Sequence, residues 1–120
     1  MKRSKYNNRR VTHDGMTFDS VAELARWGEL KLLERAEQIT RLERQIPIIL
    51  HGANGPIINL DTGRPRKMIW DFRYFTDLHA VYDDTKGMTL DEWKFKRDVF
   101  ANMYPNVKIL VNGLPVGRKS

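Results

Sequence analysis

The sequence predicts an α/β sandwich, a small mixed β-sheet with helices packed on it. Three observations point there. The patterns run hairpin, helix, strand, loop, two strands, helix, strand. The 120 residues suffice for one domain (1–120) with a modest core and are too few for two. Hydrophobic residues make up 41% of the chain and aromatics 10%, which favours a packed globule over disorder.

Residues 1–10 read as a flexible basic arm. In Val11–Phe18, Asp14-Gly15 lies between β-formers, a strong hairpin signal because glycine tolerates the positive φ of a tight turn. Ser20-Val21-Ala22-Glu23 fits a capping box, with Ser20 and Glu23 each accepting from the other's amide. Apolar positions 21, 24, 25, 28, 32 and 36 then predict a helix over 20–37, with Arg26, Glu29, Lys31, Glu34 and Arg35 on its charged face. Gln45–Leu50 reads as a strand, near an edge because of Pro47. Gly52, Gly55, Pro56, Gly63 and Pro65 make 51–67 a long loop or extended hairpin.

Strands follow at 68–76 and 79–86. Thr89, with Glu92 three residues on, opens a helix that runs to Met103 and stops at Tyr104-Pro105. Val107–Val111 is a last strand, Asn112-Gly113 a turn, and 114–120 are expected to fray.

Composition narrows the function classes. There are no cysteines, so disulfides and thiolate metal sites are excluded, which also fits the cytoplasm. No apolar run approaches the ~20 residues of a membrane span. The basic start, Met1–Tyr6, lacks the apolar segment of a signal peptide. The net charge of +6 favours a polyanionic partner such as nucleic acid. Lys2, Arg3, Lys5, Arg9 and Arg10 form one basic cluster and Arg64, Arg66 and Lys67 a second. Both are candidate DNA contacts. Lys94, Lys96 and Arg97 read first as a solvated helix face.

The candidate chemistry lies between Met68 and Gly87. Asp84 and Lys86 share one side of their strand by the two-residue period, and Asp71 faces them if the two strands pair. Asp83 points away and is left out. Two carboxylates and a lysine suit a divalent cation and a phosphodiester. Mg²⁺ needs only one or two carboxylates because it keeps several waters. Asp71 and Asp84 would hold it, with the main-chain carbonyl of Thr85 as a further ligand. Lys86 would orient the attacking water or neutralise phosphate charge.

Each residue also has a plainer reading. A D-x-K triplet is often an exposed charge pair. Asp71 carries more weight, because an ionised group between Trp70 and Phe72 is costly unless it is paired or metal-bound. Its plain alternative is a salt bridge to Arg73 or Lys86. Glu23 completes a helix cap worth about 1 kcal/mol, yet can also be presented toward the metal. His13, His51 and His79 are scattered in turns and lack metal-ligand spacing.

Phe18–Trp27, Leu42–Pro47, Trp70–Tyr74 and Tyr82–Met88 together resemble a family of small phage-encoded proteins of the PD-(D/E)xK nuclease superfamily, similar to phage Holliday-junction resolvases of the endonuclease I type. The resemblance spans about residues 6–111. It implies a restriction-endonuclease-like core, with Glu23 as the helix glutamate, Asp71 as the motif aspartate, and Asp84 and Lys86 as the (D/E)xK. Gln45 matches a glutamine before the proline. Trp70 stands where the motif name has proline, and Asp83 where a glutamate is usual. The resemblance further implies Mg²⁺- or Mn²⁺-dependent cleavage of branched DNA and a homodimer, since resolution needs two paired cuts. A non-catalytic phage nucleic-acid-binding protein of the same fold is the alternative. A host-directed interaction protein is a weaker third reading.

Overall fold

The computed structural model describes residues 9–117. β1 (Val11–His13) and β2 (Met16–Phe18) form the hairpin, with Asp14 and Gly15 at φ 50° and 77°. Helix α1 (Val21–Arg35) leads to β3 (Thr40–Ile49). The 51–67 segment is an extended hairpin: β4 (His51–Gly52) pairs with β5 (Gly55–Pro56), and Ile58 bridges Pro65. Then come β6 (Lys67–Phe75), β7 (Ala80–Asp84), α2 (Asp91–Met103), β8 (Lys108–Val111) and β9 (Leu114–Val116).

The mixed α/β fold class is therefore as expected. A five-stranded sheet runs β3-β6-β7-β8-β9, antiparallel except where β7 and β8 pair in parallel through α2. β3 forms one edge, consistent with Pro47. Leu30, Ile39, Phe72, Tyr74 and Val81 form a core with Trp27 of α1. Ile46, Leu50, Met68, Trp70, Tyr82 and Ile109 form another with Phe100 of α2.

One strand feeds both cores. Trp70 packs on Phe100 of α2, whereas Phe72, two residues on and of the same parity, stacks on Trp27 of α1. The sides exchange at Asp71. Across from it, pairing runs Arg44↔Phe72 and Ile46↔Trp70, and Gln45 between them adopts φ 54°. Positive φ is unfavourable for a residue such as glutamine and persists only where the surroundings enforce it.

Several expectations need correction. The apolar stripe of α1 does not face the core: Val21 and Leu32 are over 60% exposed, while Glu23 and Leu30 are buried. The helix is rotated because Arg26, assigned to the charged outer face, turns inward. It bonds Asp83, which is fully buried beneath α1, through Nη2 (2.7 Å) and Nε. Tyr74 donates its hydroxyl hydrogen to the same carboxylate at 2.8 Å. The capping box is half right: Ser20 accepts from the Glu23 amide, but Glu23 reaches the amide of Asp19. Thr89 does not cap α2; Leu90 is the N-cap and offers no side-chain bond. Residues 114–116 do not fray but pair with β8, because Asn112 and Gly113, at φ 53° and 76°, complete a tight hairpin. His13 and His51 are exposed but lie in β1 and β4 instead of turns.

Candidate active site

The end of β7 and the middle of β6 meet through side chains. Pairing Phe72↔Asp83 places Asp71 next opposite Asp84. The Asp71 amide donates to Asp84 Oδ1, and the Thr85 amide donates to Asp71 Oδ2, both at 2.9 Å. Each aspartate thus takes up a main-chain donor across the gap. Asp84 is fully buried. Lys86 Nζ lies 2.9 Å from Asp84 Oδ2, a close ion pair. The same ammonium sits 4.9 Å above the Trp93 ring of α2. The plain reading of Asp71 does not hold, since Arg73 bonds Glu43 and Lys86 pairs with Asp84.

Glu23 enters from the first turn of α1 and is almost wholly buried. Gln45 donates to its Oε1 at 3.2 Å, so the unusual backbone of Gln45 serves to aim its amide at this carboxylate. Arg44, stacked on Phe18, stands 3.7 Å from the same oxygen. Glu23, Asp71, Thr85 and Lys86 line one cleft of about 790 Å³ with Arg9, Ser20, Leu90 and Asn112. Four of the predicted site residues therefore converge, with Asp84 directly beneath.

The basic clusters divide. Arg9 reaches the cleft, while Arg10 pairs with Asp19 at the surface. Lys2, Arg3 and Lys5 lie outside the described residues. Arg64 and Arg66 are exposed on the extended hairpin, and Lys67 opens β6; none lines the cleft. Lys67 is four strand residues from Asp71, about 13 Å. Lys96 and Arg97 are tied down by the Lys67 carbonyl and Asp98. Asn112 was not singled out from the sequence. Its Asn-Gly signal announced a turn, and only the parallel pairing of β8 with β7, which ends at Asp84↔Val111, brings it to the cleft.

Burial pushes the Asp71 carboxyl up to about 7, with the Asp84 charge adding to it and the Thr85 amide and Lys86 opposing. Burial also raises Asp84, against the Lys86 ammonium, and raises Glu23, where the Asp71 charge contributes. These groups resist ionising together because their charges are crowded out of water. A carboxyl with a raised folded pKa holds a proton that the unfolded chain releases. Its stabilisation is complete below the unfolded value, here 3.8 for Asp71, and is lost as pH rises toward about 7. The metal-free protein is therefore expected to melt at a higher temperature at pH 5 than at pH 8. Asp71→Asn should flatten that slope. Thermal melts in EDTA across this range check it, and a slope unchanged by the substitution would remove Asp71 as its cause.

The donor set fits a hard divalent cation. The ligands available are oxygens: Asp71, Asp84, the Thr85 carbonyl and, at greater reach, Glu23. Among the described residues, no three His, Cys, Asp or Glu side chains form a ready-made chelate. That leaves a set of two carboxylates and a carbonyl, enough for Mg²⁺ with its waters.

No helix among the described residues is long and apolar enough to cross a membrane. No curated protein and no solved structure gives a significant match. A family model described as "Protein of unknown function (DUF1064)" matches residues 3–113, and the chain belongs to that family.

Proposed function

We propose that this protein is a divalent-metal-dependent DNA endonuclease that hydrolyses phosphodiester bonds. Its substrate is branched DNA, such as the Holliday junctions of phage recombination and replication. The observation that carries the reading is the meeting of Glu23, Asp71 and Lys86 at one cleft of a basic protein, with the buried Asp84 paired to Lys86 beneath it. A structural salt bridge has no need of two buried carboxylates and a half-buried third, Asp71, all with ionisation held back by burial.

Asp71, Asp84 and the Thr85 carbonyl would hold Mg²⁺, or Mn²⁺ in its place. When bound, the cation supplies charge stabilisation at the scissile phosphate and eases ionisation of the attacking water. Lys86 Nζ, braced by Asp84 and Trp93, can donate to that water or to a phosphate oxygen. Glu23, with its carboxyl raised, can accept a hydrogen bond or a proton at Oε1 or Oε2 once the bound strand displaces its present donors. Arg9 at the cleft and the basic residues of the 51–67 hairpin would grip phosphates without reading sequence. A homodimer in the cytoplasm of a phage-infected bacterium would supply the two cuts a junction requires.

The test is incubation with a four-way junction, a duplex and a single strand, each with and without Mg²⁺. Paired symmetric nicks confined to the junction are expected. Mg²⁺ or Mn²⁺ should support cutting and Ca²⁺ very little, because its larger and looser coordination sphere suits the chemistry poorly. Cutting undiminished in excess EDTA would rule out the metal mechanism. Tight, salt-sensitive binding with no cutting under any metal would fit a non-catalytic binder instead.

A further inference from the structure

We infer that Asn112 is a positioning residue of this cleft: its side chain fixes the main chain of Lys86, and through it the direction of the Thr85 carbonyl. The inference rests on reading the cleft as a metal-dependent nuclease site.

Parallel pairing of β7 with β8 ends at Asp84↔Val111, just where Thr85 and Lys86 begin. Past that point β8 turns back into β9, and among the described residues no strand remains beside Lys86. The carboxamide of Asn112 takes the strand's place. Its Oδ1 accepts from the Lys86 amide and its Nδ2 donates to the Lys86 carbonyl, each at 2.9 Å. A carboxamide carries a donor and an acceptor spaced like those of a peptide group, so it can continue a ladder by one residue. The Asn112 amide meanwhile donates to the Asp84 carbonyl at 2.9 Å.

The direction of the intervening carbonyl follows. Asp84 C=O and both main-chain groups of Lys86 point toward β8. Thr85 points the other way, because its amide donates to Asp71 Oδ2 on β6. In extended chain a residue's N–H and C=O point to the same side, so the Thr85 carbonyl turns toward Asp71 and the cleft. Without the clamp, Lys86 and the Thr85–Lys86 peptide could rotate, and the carbonyl and the ammonium would lose their aim together.

Asparagine has an ordinary reason to be here, since Asn-Gly suits a tight hairpin turn at φ 53° and 76°. That reason accounts for its backbone and not for its side chain. Aspartate or glycine would also fit the turn, but aspartate lacks the donor and glycine lacks both groups. Only asparagine provides the turn and both bonds to Lys86.

The variants are N112G and N112D, and wild type is measured beside them. Amide exchange at Lys86 and Mn²⁺ titration are followed on the metal-free protein, and cleavage of a four-way junction across Mg²⁺ concentrations. N112G is expected to keep its melting temperature within a few degrees. Its Lys86 amide should exchange on the order of 10-fold faster. Its Mn²⁺ affinity should fall at least about 10-fold, as for the loss of groups that orient metal ligands. kcat should drop and recover in part at high Mg²⁺, with KM for DNA unchanged. N112D retains an acceptor and should keep Lys86 exchange slow. If N112G does not fold, exchange in N112D as fast as in neighbouring exposed amides overturns the clamp. Wild-type Mn²⁺ affinity and kcat in a folded N112G overturn the positioning role while leaving the nuclease reading intact. A wild-type protein that neither binds Mn²⁺ nor cuts any DNA overturns both.

Discussion

Asp84→Asn is expected to lower DNA cleavage about 1,000-fold or more while leaving the stability of the fold near wild type, the relief of a buried charge offsetting the lost pair with Lys86. The rate loss follows from removing a metal-holding charge, since a cation contributes several kcal/mol at the transition state and each 1.36 kcal/mol is a factor of ten. The stability follows from burial. Asp84 is wholly enclosed and its carboxyl is raised, so its ionised form is costly in the metal-free protein. The isosteric amide keeps an oxygen to accept from the Asp71 amide and sheds the charge. Asp71→Asn should behave alike. The measurement pairs single-turnover cleavage in Mg²⁺ with thermal melts and with binding to uncut junction in Ca²⁺. Retained cleavage in both variants would sink the site assignment. Lost cleavage together with lost binding would shift Asp84 from chemistry to substrate affinity.

Arg26→Met should cost roughly 3–5 kcal/mol, as for breaking a buried ion pair from one side. For a chain of this size that is about 10–20 °C in melting temperature. Burial works against the Arg26 charge, but the hydrogen bonds and charge of Asp83 outweigh it and raise its pKa. Among the described residues Asp83 has no other cation, and losing Arg26 would strand its carboxylate beneath α1 with only the Tyr74 hydroxyl. Arg26→Met with Asp83→Leu should recover most of the loss, because a packed apolar pair can replace a buried ion pair. Recovery should be completed by Tyr74→Phe, which removes the hydroxyl left without its acceptor. Calorimetry on the series checks this. A single variant within about 1 kcal/mol of wild type would show that Asp83 finds a second partner or a proton.

The sequence made the element order legible because its local signals were strong. Asp14-Gly15 names its turn, Ser20 its cap, and the alternation around Asp71 its strand. The site was legible for a different reason: Asp84 and Lys86 are separated by one residue, and pairing of adjacent strands brings Asp71 opposite. Glu23 came through the resemblance and its place in a first turn.

What escaped depended on partners distant in sequence. The inward face of α1 could not be read from its apolar positions, because Arg26 answers a buried acid 57 residues away. Leu114–Val116 is too short, and carries Pro115, to announce itself as a strand; it exists because β8 is there to pair with it. Gln45 gave no hint of positive φ, which arises where β3 follows the change of side in β6. Asn112 looked like a turn and nothing more.

That change of side at Asp71 bears on how the molecule opens. Met68 and Trp70 anchor β6 to the core of α2, and Phe72 and Tyr74 anchor it to the core of α1. Two such packing compartments, joined by a strand, can loosen separately in the manner of independent cooperative units. The cleft lies at their seam. A cation held there by Asp71 and Asp84 and reached by Glu23 would touch chain belonging to each compartment. Its binding would tie their opening together, so that the loaded protein comes apart as one unit where the empty one can yield by halves.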